Sequence, residues 1–461
     1  MLGAREAEPS PARLSNLNPS ATISRTAPIN FVFWTTCLLL ISHFSRIFER
    51  VLVGAHVPAV ICSVGIVAML VSGALKRLNS SIGFVVLIYI SWMMACTPFS
   101  TWKGGSAQYV LWYAAFWVVL MLLIAQAPHS TRDIIRLAGV TLASCLFFLI
   151  AGSQMTFGRL GADTTFGNSD DVALMGGFAL AFALMVGLSL RKVVLRFFFL
   201  AATCGYLLIT IGRTGTRTAV LALLGMLGVF FLRSGTAHKV LLIVASVLMF
   251  VALLFVLPES TLQRFGTIFD SMDAESVALQ ASTSEAMAST AERRDLFADA
   301  VQMTRENPIF GVGPGEYMDY RFNFLRDAFG RPKRFFPSHN TYAQIAAESG
   351  IPGLLLYLFF LIAIYRTILR IRRLAVLTNH PDAPTMKVIA LCLEANLVYF
   401  AICAGFMTCD RHPHQFVIAG MALAGERLLK HWMEQQPARP MPLSQPAPGN
   451  FQGLFPTPAI R

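Results

Sequence analysis

Runs of about 20 apolar residues recur along most of this chain, each long enough to cross a bilayer as a helix, and short basic turns separate them. Such a pattern leaves little choice of fold class: the chain reads as an all-α polytopic membrane protein. Composition agrees, with 55 % hydrophobic and only 13 % charged residues, against about 25 % charged for ordinary soluble domains. A soluble multidomain enzyme is excluded. Spans are expected near 29–48, 51–73, 82–100, 107–127, 133–152, 171–190, 194–212, 217–232, 240–257, 351–369, 387–408 and 413–429, about twelve in all.

The formal net charge of +12 is read first as topology, not as a nucleic-acid footprint, because positive residues favour the cytoplasmic side of membrane proteins. With the N-terminus placed inside, the inner loops carry Lys76/Arg77, Arg132/Arg136, Arg191/Lys192/Arg196, Arg233/Lys239 and Arg366/Arg370/Arg372/Arg373, and Arg427/Lys430 follow the last span. Every inner loop is then basic and both termini are cytoplasmic. The domain expectation is a polar N-terminus (1–28), nine spans (29–257), one large outer loop (258–350) with short amphipathic helices, three further spans (351–429), and a Pro-rich tail (430–461) whose last residues, from about 437, are expected to be disordered. Residues 1–28 lack the apolar core and small-residue cleavage site of a secretory signal, so the first apolar segment is expected to stay as an anchor. The eight cysteines lie in or beside apolar runs with no CxxC pair, and read as packing residues.

Several arginines break the charge rule. Arg159, Arg213, Arg217, Arg293, Arg294 and the cluster Arg331/Lys333/Arg334 fall on the outer face. An anionic substrate is one reason for cations there; tolerance of charge by long outer loops is the other, though it explains Arg213 and Arg217 less well.

Four segments stand out. Gly212-Arg213-Thr214-Gly215-Thr216-Arg217 is a tight polar turn whose forked donors and backbone N–H groups suit phosphate oxygens, or whose arginines merely snorkel to head groups. Residues 289–303 read as an amphipathic helix in which Leu296, Phe297, Ala300 and Met303 share a face with Arg293, while Arg294 turns away. Arg293 then needs a partner, either a structural carboxylate or a bound anion. Asn307-Pro308-Ile309-Phe310-Gly311-Val312-Gly313 is a turn-rich crossing read as structural. In Ser338-His339-Asn340-Thr341-Tyr342, Asn340 is a natural N-cap, Gly350 a natural stop, and Pro352 opens the next span. His339 thereby sits at a helix start, where the neutral imidazole that a general base requires is favoured, although a lone loop histidine is commonly only solvated.

Lesser candidates are Asn168 or Asp170 as the cap of the sixth span, Glu394 inside a span, and the pair His412/His414, which lacks a third metal ligand. Asp270 and Asp273 form a DxxD in a polar stretch and are read as solvated.

Taken together, the arginine turn, Arg293, the Asn307–Gly313 crossing, Ser338–Tyr342 and Glu348-Ser349-Gly350-Ile351-Pro352-Gly353 resemble the O-antigen ligase and Wzy-type polymerase superfamily in order and placement, over roughly 200–365. Gly212 stands where that family often has serine, and the doubled Arg293-Arg294 leaves a register that the helical face resolves toward Arg293. The resemblance implies an inverting glycosyltransferase of the bacterial inner membrane that needs no metal or other cofactor. Its donor would be a glycan on undecaprenyl diphosphate, taken from the periplasmic side, and its acceptor a glycan or lipid A core. It places Arg213 and Arg293 on the diphosphate and His339 as the base on the acceptor hydroxyl, with Arg217, Arg159 and Asn340 as further substrate-binding candidates. Ligase and polymerase share these motifs. A transporter or flippase for an anionic glycolipid is the alternative of a different class, disfavoured by the absence of internal repeats.

Overall fold

The computed structural model describes residues 26–48, 57–156, 159–162, 168–256 and 281–435. The elements in chain order are α1 (Thr26–Ser45), α2 (Val57–Ser72), α3 (Ser81–Phe99), α4 (Lys103–Gln126), α5 (Thr131–Gly152), the hairpin β1 (Ser153–Thr156) and β2 (Arg159–Ala162), α6 (Ser169–Leu188), α7 (Val193–Arg213), α8 (Arg217–Arg233), α9 (Thr236–Val256), α10 (Ala281–Glu306), α11 (Tyr317–Phe324), α12 (Thr341–Leu377), α13 (Ala383–Ala404) and α14 (His414–Gln435). Seven of them, α3 to α7 with α12 and α13, are long and apolar enough to span a bilayer among the described residues. The protein is a multi-pass α-helical membrane protein.

The remaining five expected spans coincide with helices of weaker signal. In α1, α2 and α9 the apolar stretch is shorter (Phe31–Ser45, Val57–Ser72, Lys239–Met249), α8 has 17 residues, and α14 carries Glu426, Arg427, Lys430 and Glu434 in its second half. The antiparallel hairpin, in register Ser153 to Ala162, was not expected from the sequence. Residues 1–25 of the polar N-terminus, most of the tail, and Asp270 and Asp273 lie outside the described residues.

Local sequence explains where the helices begin. Ser80, Ser130, Asn168 and Asn340 each accept a hydrogen bond from the backbone N–H three residues on, which satisfies one of the donors that a helix start leaves open. The main core is one apolar cluster to which α6, α13 and α14 give half or more of their residues, and a second, smaller cluster of Ala300, Met303, Val312, Tyr317, Leu325 and Ala347 packs α10 and α11 against the start of α12. Seven cysteines are buried, Cys204 is half-buried and none is bridged.

The loops sort into two ends. At one, Arg77 Nε donates to Gln126 Oε1 at 2.9 Å, Arg427 donates to the carbonyl of Pro128, and Glu426 pairs with Lys430 at 3.0 Å and Arg370 at 3.4 Å. Glu394 is clamped by Arg233 at 2.6 Å and Arg372 at 2.8 Å, so this buried acid within a span has two partners of opposite charge that keep some solvent access. The other end holds α10, α11, the start of α12, and the motifs described next.

Two backbones meet there. Val312 N–H donates to the carbonyl of Ala347 at 2.8 Å, Gly313 N–H to that of Glu348 at 3.0 Å and Ile351 N–H to that of Pro308 at 2.8 Å. Gly350 breaks α12 with φ 71° and ψ 179°, and a Cβ on it would lie 1.9 Å from the carbonyl oxygen of Ile309. Only glycine fits a positive φ this close to another backbone. Phe310 seals the crossing by stacking on Phe99 at 3.9 Å and Trp92 at 5.6 Å.

Candidate active site

Asp170 lies at the centre of the site. Asn168 takes the capping role on α6, its Oδ1 accepting from Asp171 N–H at 2.8 Å, which leaves the Asp170 carboxylate to reach sideways from the first helical turn, where negative charge is favoured. Its Oδ2 accepts from Arg293 Nη2 of α10 at 2.7 Å and lies 3.9 Å from His339 Nδ1. Its Oδ1 accepts from Thr216 Oγ1 at 3.1 Å. One buried carboxylate therefore gathers the arginine turn, the loop helix and the histidine segment, three motifs spread over more than a hundred residues of chain.

Arg293 is held on α10 by the face the sequence predicts: Leu296, Ala300 and Met303 are buried, and Arg294 points out. Phe297 departs from that expectation and is exposed, because the buried stripe is narrower than the wheel suggests. With 34 % of its side chain exposed, Arg293 pairs with Asp170 through one nitrogen and still presents charge outward. Arg213 closes α7 and is exposed, while Arg217 opens α8 beside Thr216 and is half-buried. Arg159 opens β2, in a hairpin that packs on α6 and α7; its side chain lies outside the described residues.

His339 adopts φ 52°, one of two non-glycine residues with positive φ among those described, a conformation that surrounding contacts must enforce. They do. Its N–H donates to Thr408 Oγ1 at 3.0 Å; on either side Ser338 Oγ donates to the carbonyl of Asn340 at 2.8 Å, and Asn340 Nδ2 donates to the carbonyl of Gly405 at 2.9 Å. Asn340 Oδ1 caps α12 through Ala343 N–H at 3.0 Å, so both polar groups of Asn340 are engaged within the protein. Burial first, and the Arg293 cation second, hold the His339 imidazole below its usual pKa, opposed by Asp170, Asp171 and Glu292. The ring is thus neutral near pH 7 and can accept a proton.

A cavity of about 160 Å³ opens on these residues, lined by Asp170, Asp171, His339, Thr408, Arg411 and His412 among others. His412 Nε2 lies 3.4 Å from Asp171 Oδ1, and His414 is packed among Phe44, Phe178 and Phe400. Gln344 ties the floor together: its Oε1 accepts from Ser338 N–H at 3.2 Å and its Nε2 donates to Glu348 Oε1 at 3.1 Å. The Glu348 carboxylate in turn accepts from the N–H groups of Gly315 and Tyr317.

Residues 202–358 match the family model described as O-antigen ligase. Over this segment, about a third of the chain, the protein is similar to the O-antigen ligase family. The match takes in the arginine turn, Arg293, the glycine crossing and His339. No curated protein matches the chain. Asp170, outside the matched segment, is the residue that sequence reasoning undervalued: an Asn-Ser-Asp-Asp run before an apolar helix is fully explained as a cap, and its second use shows only in three dimensions. Arg411 and Glu316 carried no sequence signal that set them apart.

Proposed function

We propose that the protein is a glycosyltransferase or polymerase of the O-antigen ligase type, taking a glycan from undecaprenyl diphosphate on the periplasmic side of the bacterial inner membrane through a twelve-span fold. The observation that carries this reading is the convergence of Thr216, Arg293 and His339 on Asp170. In the reaction, neutral His339 accepts the proton of the acceptor hydroxyl while its oxygen attacks the anomeric carbon from the face opposite the leaving group. The bond from that carbon to the diphosphate breaks, and the charge developing on the phosphate is stabilised by Arg293 and the Arg213/Arg217 turn. Asp170, 3.9 Å from Nδ1, favours the imidazolium as it forms, as an orienting acid does beside a histidine base. A glycosyl diphosphate carries its own good leaving group, so fixed cations and one base suffice and no metal is called on.

The test is transfer by purified protein in liposomes supplied with the carrier-linked glycan. His339→Ala is expected to lose about 10²–10⁴-fold in rate with membrane insertion and thermal stability unchanged, and full activity in that variant contradicts the assignment of the base.

A further inference from the structure

A second, larger cavity of about 540 Å³ lies beside the first and shares Arg411 with it. Its walls come from Trp102, Tyr109, Trp112 and Phe116 of α4 and its approach, from Glu316 and Asp319 at the start of α11, and from the end of α1 with Arg46 just beyond it. Trp112 stacks on Phe116 at 5.0 Å, and Trp102 is 60 % exposed. Glu316 is the telling residue. It is only 3 % exposed, yet its Oε2 has no hydrogen-bond partner among the described residues. Gly105 lets it approach, since a Cβ there would lie 2.7 Å from Glu316 Oε1. Burial pushes this carboxyl up to about 7, with Asp319 adding to the effect and Arg411 opposing it. A buried polar group left unsatisfied costs stability unless a ligand completes it.

We infer that this cavity binds the sugar rings of the acceptor glycan, an assignment that rests on the transferase reading above. A pyranose offers apolar C–H faces, which stack on aromatic rings, and rim hydroxyls, which pair with carboxyl groups; the cavity supplies both, within the size range of small-molecule sites. Glu316 and Asp319 offer partners for rim hydroxyls beside Arg46 and Arg411, which also line the chamber, whereas Arg293, the donor's proposed cationic partner, pairs with Asp170, which lines the other chamber. Acyl chains are disfavoured by the same acids, because charged groups are costly against hydrocarbon. Arg411 spans the two chambers: its Nη2 donates to the carbonyl of Gly315 at 3.2 Å and its guanidinium sits 5.2 Å from the Tyr109 ring. Arg411 is thus common to the aromatic chamber and to the one that His339 lines.

The experiment uses the full-length protein in nanodiscs and, as probe, the oligosaccharide released by mild acid from the host's own surface polysaccharide. Saturation-transfer NMR is expected to show contact to sugar protons, weakened roughly tenfold in affinity in Trp102→Ala and in Glu316→Gln. In transfer assays both variants raise the acceptor KM by a similar factor and leave the donor KM within about twofold. Trp102 is exposed, so its variant keeps the fold. Absence of saturation transfer to the wild-type protein overturns the inference, as does a change confined to the donor KM. Should the wild-type protein bind the oligosaccharide, lose it in Trp102→Ala and yet transfer nothing, the glycan site stands and the transferase reading alone fails.

Discussion

At the scale of single residues, the account turns on one proton and on the charges that set where it resides. His339 must be neutral to act, so activity is expected to fall as pH drops below the histidine's lowered pKa, that is, on the acid side of 6.5. Arg293 lowers that pKa and Asp170 raises it. The acid limb of the kcat/KM profile should therefore move to higher pH in Arg293→Ala and to lower pH in Asp170→Asn, whatever else those variants lose. Limbs that coincide in all three proteins contradict the assignment of the limb to His339. Much of this site was legible in sequence: the helical face picked Arg293 over Arg294, and the helix start picked His339. Asp170 was not, because a capping signature already accounted for it. Nor was the strain at His339, since no residue type announces a positive φ that hydrogen bonds donated to Thr408 and Gly405, far along the chain, impose.

At the scale of elements, the glycine crossing sets the position of the site. The strands of chain at Pro308–Gly313 and Ala347–Ile351 are held backbone to backbone, and α12 then carries His339 on its first turn's threshold. Gly350→Ala places a methyl against the carbonyl of Ile309 at a φ that side chains avoid. It is expected to destabilise the protein by more than about 2 kcal/mol, visible as a lower melting temperature in detergent; an unchanged melting point speaks against the crossing as drawn. Far from the site, Glu394→Ala leaves Arg233 and Arg372 facing each other without their shared acid. Since both arginines keep some solvent access, a loss of roughly 1–3 kcal/mol is expected, with both substrate KM values unaltered. A role for Glu394 in binding or transport would instead change KM. The sequence foretold the cap at Asn340, the break at Gly350 and the structural role of the Gly311 turn, each from residue types with a single conformational use. It did not foretell the β1–β2 hairpin, whose short polar strands carry too little alternation to register.

At the scale of the whole molecule, one end of the bundle gathers basic loops and the other gathers paired acids, arginines and aromatic walls. That polarity follows from the charge pattern read along the chain, and it fits a protein whose chemistry is done on the face opposite its topological anchors. Neighbouring chambers, one lined by His339, Asp170 and Asp171 and the other by aromatic rings with Glu316 and Asp319, share Arg411, an arrangement suited to bringing two unlike substrates to one histidine. Helix positions were legible because apolar runs are long; the chambers were not, because their walls come from α4, α11 and the α13–α14 turn, which share no sequence neighbourhood. The most direct test of the central claim is the length and location of glycans on the carrier lipid and at the cell surface, in cells with the gene, without it, and with His339→Ala in its place. The account predicts that carrier-linked glycan builds up on the periplasmic face in both defective strains, as long chains for a ligase or as single repeat units for a polymerase. Repeat units trapped on the cytoplasmic face, or full surface glycan in the His339→Ala strain, would contradict it.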